Sequence, residues 1–193
     1  MKFTRTLIAL SAATLMATSA MAMEPAEYKA AKDQISADYK ANKQKCDALQ
    51  GNAKDVCQKE AKGAEKVAKA ELDARYKPSD KAAYKAREAK ADADYEVAKE
   101  KCDDLSGNAK DVCVKDAKAA HVSAKENAKV ARAAAKPADN TAAKQADVAE
   151  ARKDAAAEKN EANYKAAKER GDALRRDVKS TCVDDAKRVH GQN

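Results

Sequence analysis

Large apolar residues are few along this chain, and long stretches of alanine, lysine and acidic residues separate them. Where they recur, the spacing is helical: Tyr28 and Tyr39 lie eleven positions apart, three helical turns, which keeps both on one face. Opposite charges follow the same rule at Glu65 and Lys69, where a four-residue separation favours a helix. The pattern predicts an all-α fold of elongated helical hairpins, packed as a coiled-coil-like bundle with a thin core.

One stretch with two cysteines occurs twice, at 46–57 and at 102–113. Each copy has a central Gly-Asn pair; glycine adopts the left-handed conformation that closes a helix, and asparagine is a preferred N-cap for the next one. A tight turn there would bring facing helices, and their cysteines, within bonding distance. A continuous helix would instead hold the two sulfur atoms about 16 Å apart, too far for an intrachain disulfide. The cysteines are Cys46, Cys57, Cys102 and Cys113, and the turn residues are Gly51, Asn52, Gly107 and Asn108.

The repeated pattern divides the chain after its first 22 residues into three units, 23–77, 78–137 and 138–193. Pro78 and Pro137 mark the boundaries, because proline ends one helix and a capping residue beside it starts another. The sequence therefore predicts helical hairpins in the first two units and a degenerate helical repeat in the third.

The third unit departs from the pattern at its centre. Gly171 takes the place of the first cysteine, and Arg176-Asp177 takes the place of the Gly-Asn pair. Because the cysteine and the turn glycine are both missing, we expect one long helix that ends near Val189. Cys182 keeps the second cysteine position and has no partner within its unit. A cysteine left over from the pairs indicates either an interchain disulfide that forms a homodimer or an idle thiol, and the sequence leaves both open.

Residues 1–22 have the three-part pattern of a secretory signal peptide: two basic residues, an apolar run and small residues before a cleavage site. Cleavage is predicted between Ala22 and Met23. The apolar run is too short to span a bilayer, which takes about 20 residues, and no transmembrane segment is predicted in the mature chain. We expect export to the periplasm, an oxidising compartment in which disulfides form.

The composition favours helix and a solvated surface. Alanine and lysine are abundant, tryptophan is absent, and 39 basic residues against 32 acidic ones give a net charge of +7. The acids are mixed among the bases everywhere, so no concentrated basic face is predicted and nucleic acid is not an expected partner. Weak attraction to acidic envelope polymers is compatible with this charge.

Few residue patterns in the sequence support chemistry. His121 and His190 lie in different units, and no spacing typical of a zinc or haem site occurs. No base beside a nucleophile and no glycine-rich phosphate loop is found. We expect no metal site, no cofactor and no catalytic residues. The paired tyrosines could form an aromatic platform for a ligand, but packing of an alanine-rich core is the favoured interpretation.

The Ala-Lys-Asp/Glu texture, as in residues 60–71, resembles the long helical middle region of the TolA envelope protein. The whole chain is similar to small exported bacterial proteins labelled TolA-like or cell envelope biogenesis proteins. TolA itself has a retained N-terminal membrane helix and a globular C-terminal domain, and we expect neither in this sequence. A second resemblance is to hydrophilic stress proteins of the late-embryogenesis type, whose Ala-Lys-rich segments recur at eleven residues.

These resemblances imply an exported, non-catalytic α-helical structural or interaction protein of the bacterial cell envelope, whose partner is an envelope protein or an acidic envelope polymer. The alternatives are a hydrophilic stress protectant and a weak binder of acidic envelope polymers. Stapled hairpins count against the protectant, because a chain that stays disordered when hydrated gains little from them.

Overall fold

The computed structural model describes residues 23–172, 174 and 176–192, so the predicted signal peptide lies outside the described residues. All regular secondary structure in these ranges is helical, which confirms the all-α prediction. Six α-helices and one short 3-10 turn follow one another in the described part of the chain. They are α1 (Pro25–Cys46), α2 (Gly51–Tyr76), α3 (Asp80–Lys101), the 3-10 turn Cys102–Asp104, α4 (Gly107–Ala135), α5 (Thr141–Asp172) and α6 (Arg176–His190).

Two of the helices begin shortly after a proline, and a polar side chain caps the first turn of each. Ser79 accepts a hydrogen bond from the backbone N–H of Ala82 at 3.1 Å and caps α3. Asn140 accepts one from the backbone N–H of Ala143 at 2.8 Å at the start of α5. Each cap satisfies one of the backbone donors that lack an intrahelical partner in the first turn. The breaks at 77–79 and 136–140 therefore combine a proline with a capping side chain.

The helices form an open row in which each packs mainly against the one before it and the one after it in the chain. Neighbours run antiparallel: Tyr28 at the start of α1 stacks on Tyr76 at the end of α2. Small residues dominate the buried positions, and Leu72 is the only large aliphatic side chain that is fully buried among the described residues. The thin core follows from the composition, since alanine permits close packing but buries little area.

α2 and α3 approach most closely at Gly63. A β-carbon built there would lie 3.0 Å from the β-carbon of Ala93, closer than ordinary van der Waals contact. A larger residue at this position would require Ala93 to move by a few tenths of an ångström. Lys59 of α2 lies 3.4 Å from the Glu96 carboxylate of α3 across the same contact.

The third unit differs from its prediction. It is not one long helix: α5 ends at Asp172, α6 begins at Arg176, and the two helices pack together. The backbone N–H of Leu174 donates to the carbonyl of Gly171 at 3.0 Å. The equivalent leucines of the other two turns, Leu49 and Leu105, donate in the same way to the carbonyls of Cys46 and Cys102. Loss of the Gly-Asn pair thus did not remove the turn. The division into three repeats stays a prediction.

Candidate functional site

Three helix turns lie at the same end of the row. They join α1 to α2, the 3-10 turn after α3 to α4, and α5 to α6. We call the segments 46–57, 102–113 and 171–182 together the turn end. The remaining two breaks lie at the opposite end because successive helices are antiparallel. Most of the residues singled out in the sequence lie at the turn end.

Two cysteine pairs at the turn end lie at disulfide distance. The Cα atoms of Cys46 and Cys57 are 5.5 Å apart, and those of Cys102 and Cys113 are 5.7 Å apart. Both values fall within the range of about 4.4–6.8 Å that disulfides require. Cys46 and Cys102 are completely buried. The hairpin prediction is confirmed for both segments, and the continuous-helix alternative is wrong.

The glycines of the two turns have the predicted left-handed conformation, but they lie at the start of a helix and not at the end of one. Gly51 and Gly107 both have a backbone φ of +56°, in the left-handed region. However, each begins the second helix of its hairpin and does not close the first, which ends earlier, at Cys46 and at Lys101. The backbone N–H of Leu49 bonds to the Cys46 carbonyl, so the first helix is closed without glycine.

The asparagines do not act as the predicted N-caps. The caps of α2 and α4 are Gln50 and Ser106, and neither makes a side-chain cap hydrogen bond. Asn52 instead donates through Nδ2 to the Glu100 carbonyl near the end of α3, at 3.1 Å. Helix ends leave their last carbonyls without intrahelical partners. The amide of Asn52 therefore satisfies a carbonyl of the neighbouring helix.

Asn108 makes the same kind of contact one hairpin further along. Its Nδ2 donates to the carbonyl of Glu169, near the end of α5, at 3.3 Å. The two asparagines thus connect each disulfide-bonded turn to the first helix of the following hairpin. Sequence reasoning could find the residues, but it could not find an acceptor that lies 48 or 61 positions away.

Each turn also carries an acid-base pair that sequence reasoning missed. The Lys-Asp distances are 3.3 Å for Lys54 and Asp47, 3.0 Å for Lys110 and Asp103, and 2.8 Å for Lys179 and Asp172. A hydrogen bond from the Lys179 ammonium holds the pKa of Asp172 below its usual value. The recurrence of an aspartate seven positions before a lysine was the available signal. Such exposed pairs contribute little to stability because water and salt screen them, so they orient the turn more than they stabilise it.

Three leucines occupy matching places beyond the ends of the first helices. Leu49, Leu105 and Leu174 are 40%, 43% and 41% exposed. The turn ends of the hairpins therefore present part of an apolar side chain to solvent.

Cys182 in α6 is the one unpaired cysteine of the described residues, and it is half-buried. It lies against Gly171: a β-carbon built on that glycine would be 3.3 Å from the sulfur of Cys182 and 3.6 Å from its β-carbon. Gly171 thus occupies the place that a partner cysteine would take. The homodimer and the idle thiol both stay predictions for Cys182.

Aromatic side chains join consecutive helices along the row. Tyr28 stacks on Tyr76 at a centroid distance of 4.2 Å, and Tyr95 of α3 stacks on His121 of α4 at 4.6 Å. A hydrogen bond from the Tyr28 hydroxyl to the Asp73 carboxylate, 2.7 Å long, raises the pKa of Tyr28. These contacts fit the packing interpretation of the tyrosines, because each ring is used between two helices.

Titratable side chains between the helices form pairs. His121 Nε2 lies 2.6 Å from the Asp92 carboxylate, and the largely buried Glu126 accepts a hydrogen bond from Lys129 at 2.6 Å. Within the described ranges, no group of three or more His, Cys, Asp or Glu side chains is arranged to hold a metal ion. No helix in the described part of the chain combines the length and apolarity needed to cross a membrane.

No protein-family model matches this chain, and comparisons with curated proteins and with solved structures give no significant match.

Proposed function

We propose that this chain is an exported, non-catalytic helical protein that acts as a structural or interaction element of the bacterial cell envelope, in the periplasm. The observation that carries the proposal is the pair of disulfide-distance contacts in a molecule with a very thin core. A disulfide that closes a loop of this length contributes about 3 kcal/mol. Such a contribution is available only in an oxidising compartment.

The open row supports a binding or spacing role over a role that needs an enclosed pocket. Each inner helix packs mainly against its two neighbours in the chain, and α1 and α6 each pack against one, so much of the helix surface faces solvent. Alternating acids and bases cover that surface, as in the ion pair between Lys69 and Glu65. The resemblance to TolA-like proteins points in the same direction, and it stays a resemblance.

Non-reducing peptide mapping of the protein recovered from cell fractions tests the proposal. The expected result is a periplasmic protein that begins at Met23, with Cys46 linked to Cys57 and Cys102 linked to Cys113. A Leu10→Arg variant, which interrupts the apolar run of the signal peptide, should stay in the cytoplasm with free thiols. Recovery of wild-type protein from the periplasm with these four cysteines unpaired would overturn the proposal.

A hydrophilic stress protectant is the second candidate, and the scarcity of large buried side chains favours it. The two functions predict different behaviour in dilute buffer. A scaffold should unfold in a cooperative thermal transition, because its helices pack against one another. A protectant should gain helix only on drying or in alcohol. Retention on acidic envelope polymers that is lost with added salt would instead indicate the polymer binder.

A further inference from the structure

α2 and α3 form an open groove along one side of the row. Its volume is about 670 Å³. Gly63 and Ala93 make its floor, where the two backbones approach most closely. The apolar wall residues are only partly buried or exposed, although they lie in the middle of the row. They are Ala64, Val67, Ala68, Val97 and Ala98.

The other side of the same helix pair is different in character. A depression of about 310 Å³ lies there, and charged side chains dominate its lining, among them Lys62, Lys66 and Glu96. Tyr39 and Lys43 of α1 also line it. One helix pair thus presents an apolar side and a charged side. Apolar surface in water is unfavourable, so an asymmetry of this kind marks the apolar side as the one that gains from being covered.

Charges of opposite sign border the groove on its two walls. α2 supplies Glu60 and Glu71, and α3 supplies Lys90 and Lys101. Each pair is eleven residues apart, which is about 16 Å along a helix. Glu60 lies 3.0 Å from Lys101 at the end of the groove near the turns. Because the helices are antiparallel, Glu71 and Lys90 border its other end.

We propose that the α2–α3 groove binds a second copy of this chain. A rotation of 180° about an axis along the groove keeps each residue at its level and exchanges the two walls. α2 of one copy then faces α3 of the other, with Glu60 opposite Lys101 and Glu71 opposite Lys90. The arrangement of charge is self-complementary under this symmetry, which is the symmetry of most dimers.

The proposed dimer packs four helices around the apolar walls, with ion pairs along both borders. Alanine, valine and glycine on the walls let the helices of the two copies approach closely. Asp94 also borders the groove, where Lys90 pairs with it at 2.9 Å in the single chain. Lys90 would then lie between Asp94 of its own chain and Glu71 of the second copy. Cys182 has no part in this interface, so the dimer differs from a disulfide-linked one.

Two charge-reversed variants test the interface, each in a Cys182→Ser background that prevents a disulfide dimer. Variant one, Glu60→Lys with Glu71→Lys, replaces both acids of the α2 border with lysines. Variant two, Lys90→Glu with Lys101→Glu, has only acidic borders. Sedimentation velocity at physiological salt should show dimers for the background protein and a self-association at least about tenfold weaker for each variant alone. An equimolar mixture of the two should restore a dimer that contains one copy of each.

A matched control separates this interface from general attraction between oppositely charged proteins. Lys62→Glu with Lys66→Glu makes the same change in net charge as variant two, on the charged side of α2. Mixed with variant one, the control should form no dimer. A monomeric background protein, a mixture of the two variants that stays monomeric, or a control that also pairs with variant one would overturn the proposal.

The single changes Glu71→Lys and Lys90→Glu provide a test if the double variants lose helix content. They leave the Glu60–Lys101 pair within each chain intact. Each should weaken self-association, and their equimolar mixture should associate more strongly than either alone. The absence of that recovery in folded proteins would count against the two-fold arrangement.

Discussion

At the scale of single residues, Gly171 lies where a second cysteine would complete the third turn. A β-carbon at this position would be 3.6 Å from that of Cys182, within the range of disulfide-bonded pairs. We therefore expect Gly171→Cys to form a third disulfide, closing a loop of the same length as the other two. The added stability should be about 3 kcal/mol. Non-reducing peptide mapping and denaturant unfolding would measure the bond and its effect.

Lys168→Cys is the matched control for the new disulfide. It places a second thiol on an exposed position of the same helix, one turn before Gly171. This variant should leave Cys182 unpaired within the chain, and its stability should match that of wild type. A Gly171→Cys protein that keeps both thiols free under oxidising conditions would show that α5 and α6 do not pack as described.

The guanidinium of Arg132 in α4 lies 5.0 Å from the ring centroid of Tyr84 in α3, and ionisation of this phenol makes the stability of the protein depend on alkaline pH. Burial, followed by its hydrogen bond to Glu88, raises the pKa of Tyr84 to about 12. The unfolded chain ionises this phenol near pH 10. The stabilising contribution is therefore complete below about pH 10 and is lost as the pH rises towards 12.

Tyr84→Phe should abolish this contribution. Ultraviolet titration of the phenolates should lose the ionisation step near pH 12, and thermal unfolding between about pH 10 and 12 should depend less on pH than in wild type. Tyr164→Phe, which removes a phenol from α5, is the control and should keep that step. Persistence of the step in Tyr84→Phe would contradict the assignment.

At the scale of helices, substitutions of Asn52 test whether its side chain stabilises α2 or α3. As an N-cap of α2 it could be replaced by aspartate, which caps equally well. As a donor to the Glu100 carbonyl of α3 it could not, because aspartate has no N–H and adds a negative charge there. We expect Asn52→Asp to destabilise the protein about as much as Asn52→Ala, by about 1 kcal/mol.

Denaturant unfolding of the two Asn52 variants would measure this difference, with Asn42→Asp on α1 as a control outside the contact. An Asn52→Asp variant as stable as wild type would return the residue to the role of an N-cap. Asn108 should behave in the same way towards Glu169.

Local signals in the sequence predicted helix content, the helix breaks at the prolines and both cysteine pairs. These features depend on residues close together in the chain: Cys46 and Cys57 need only one turn between them. The role of Asn52 depends on a helix end 48 positions away, which no local rule contains. The sequence also pointed to a left-handed glycine, but its place at the start of α2 depends on where α1 ends.

The third turn was mispredicted for a related reason. Its prediction assumed that a turn needs a glycine with positive φ, and Arg176-Asp177 replaces the Gly-Asn pair. The structure turns after Asp172 nevertheless, and α6 packs on α5 beside Gly171. The two helices pack closely because Gly171 has no side chain, and this packing outweighed the absence of a turn glycine. Burial of apolar surface between helices commonly overrides local preference in this way.

At the scale of the whole molecule, a row of helices should have stability that varies along its length. α1 and α6 lie at its two edges, and each packs mainly on one neighbour. The Cys46–Cys57 pair ties α1 to α2, whereas α6 has no disulfide to α5. We expect the backbone amides of α6 to exchange with deuterium faster than those of α1, α3 and α4.

Hydrogen exchange followed by mass spectrometry of peptides would measure this gradient. Reduction of the disulfides should raise the exchange of α1 most, and the Gly171→Cys disulfide should slow the exchange of α6. Equal protection of all six helices would indicate that the row unfolds as one cooperative unit.

The position of the disulfides at one end of the row has a mechanical consequence. α1 and α6 both have their free ends at the opposite end, so a pull between them peels neighbouring helices apart instead of shearing them along their length. Peeling of α1 from α2 stops at Cys46, and the bond to Cys57, eleven residues on, withholds roughly 38 Å of chain from extension. The oxidised protein under tension would lengthen in steps. The steps that separate α1 from α2 and α3 from α4 would each be shortened by this amount, and those two turns would stay closed while their helices separate.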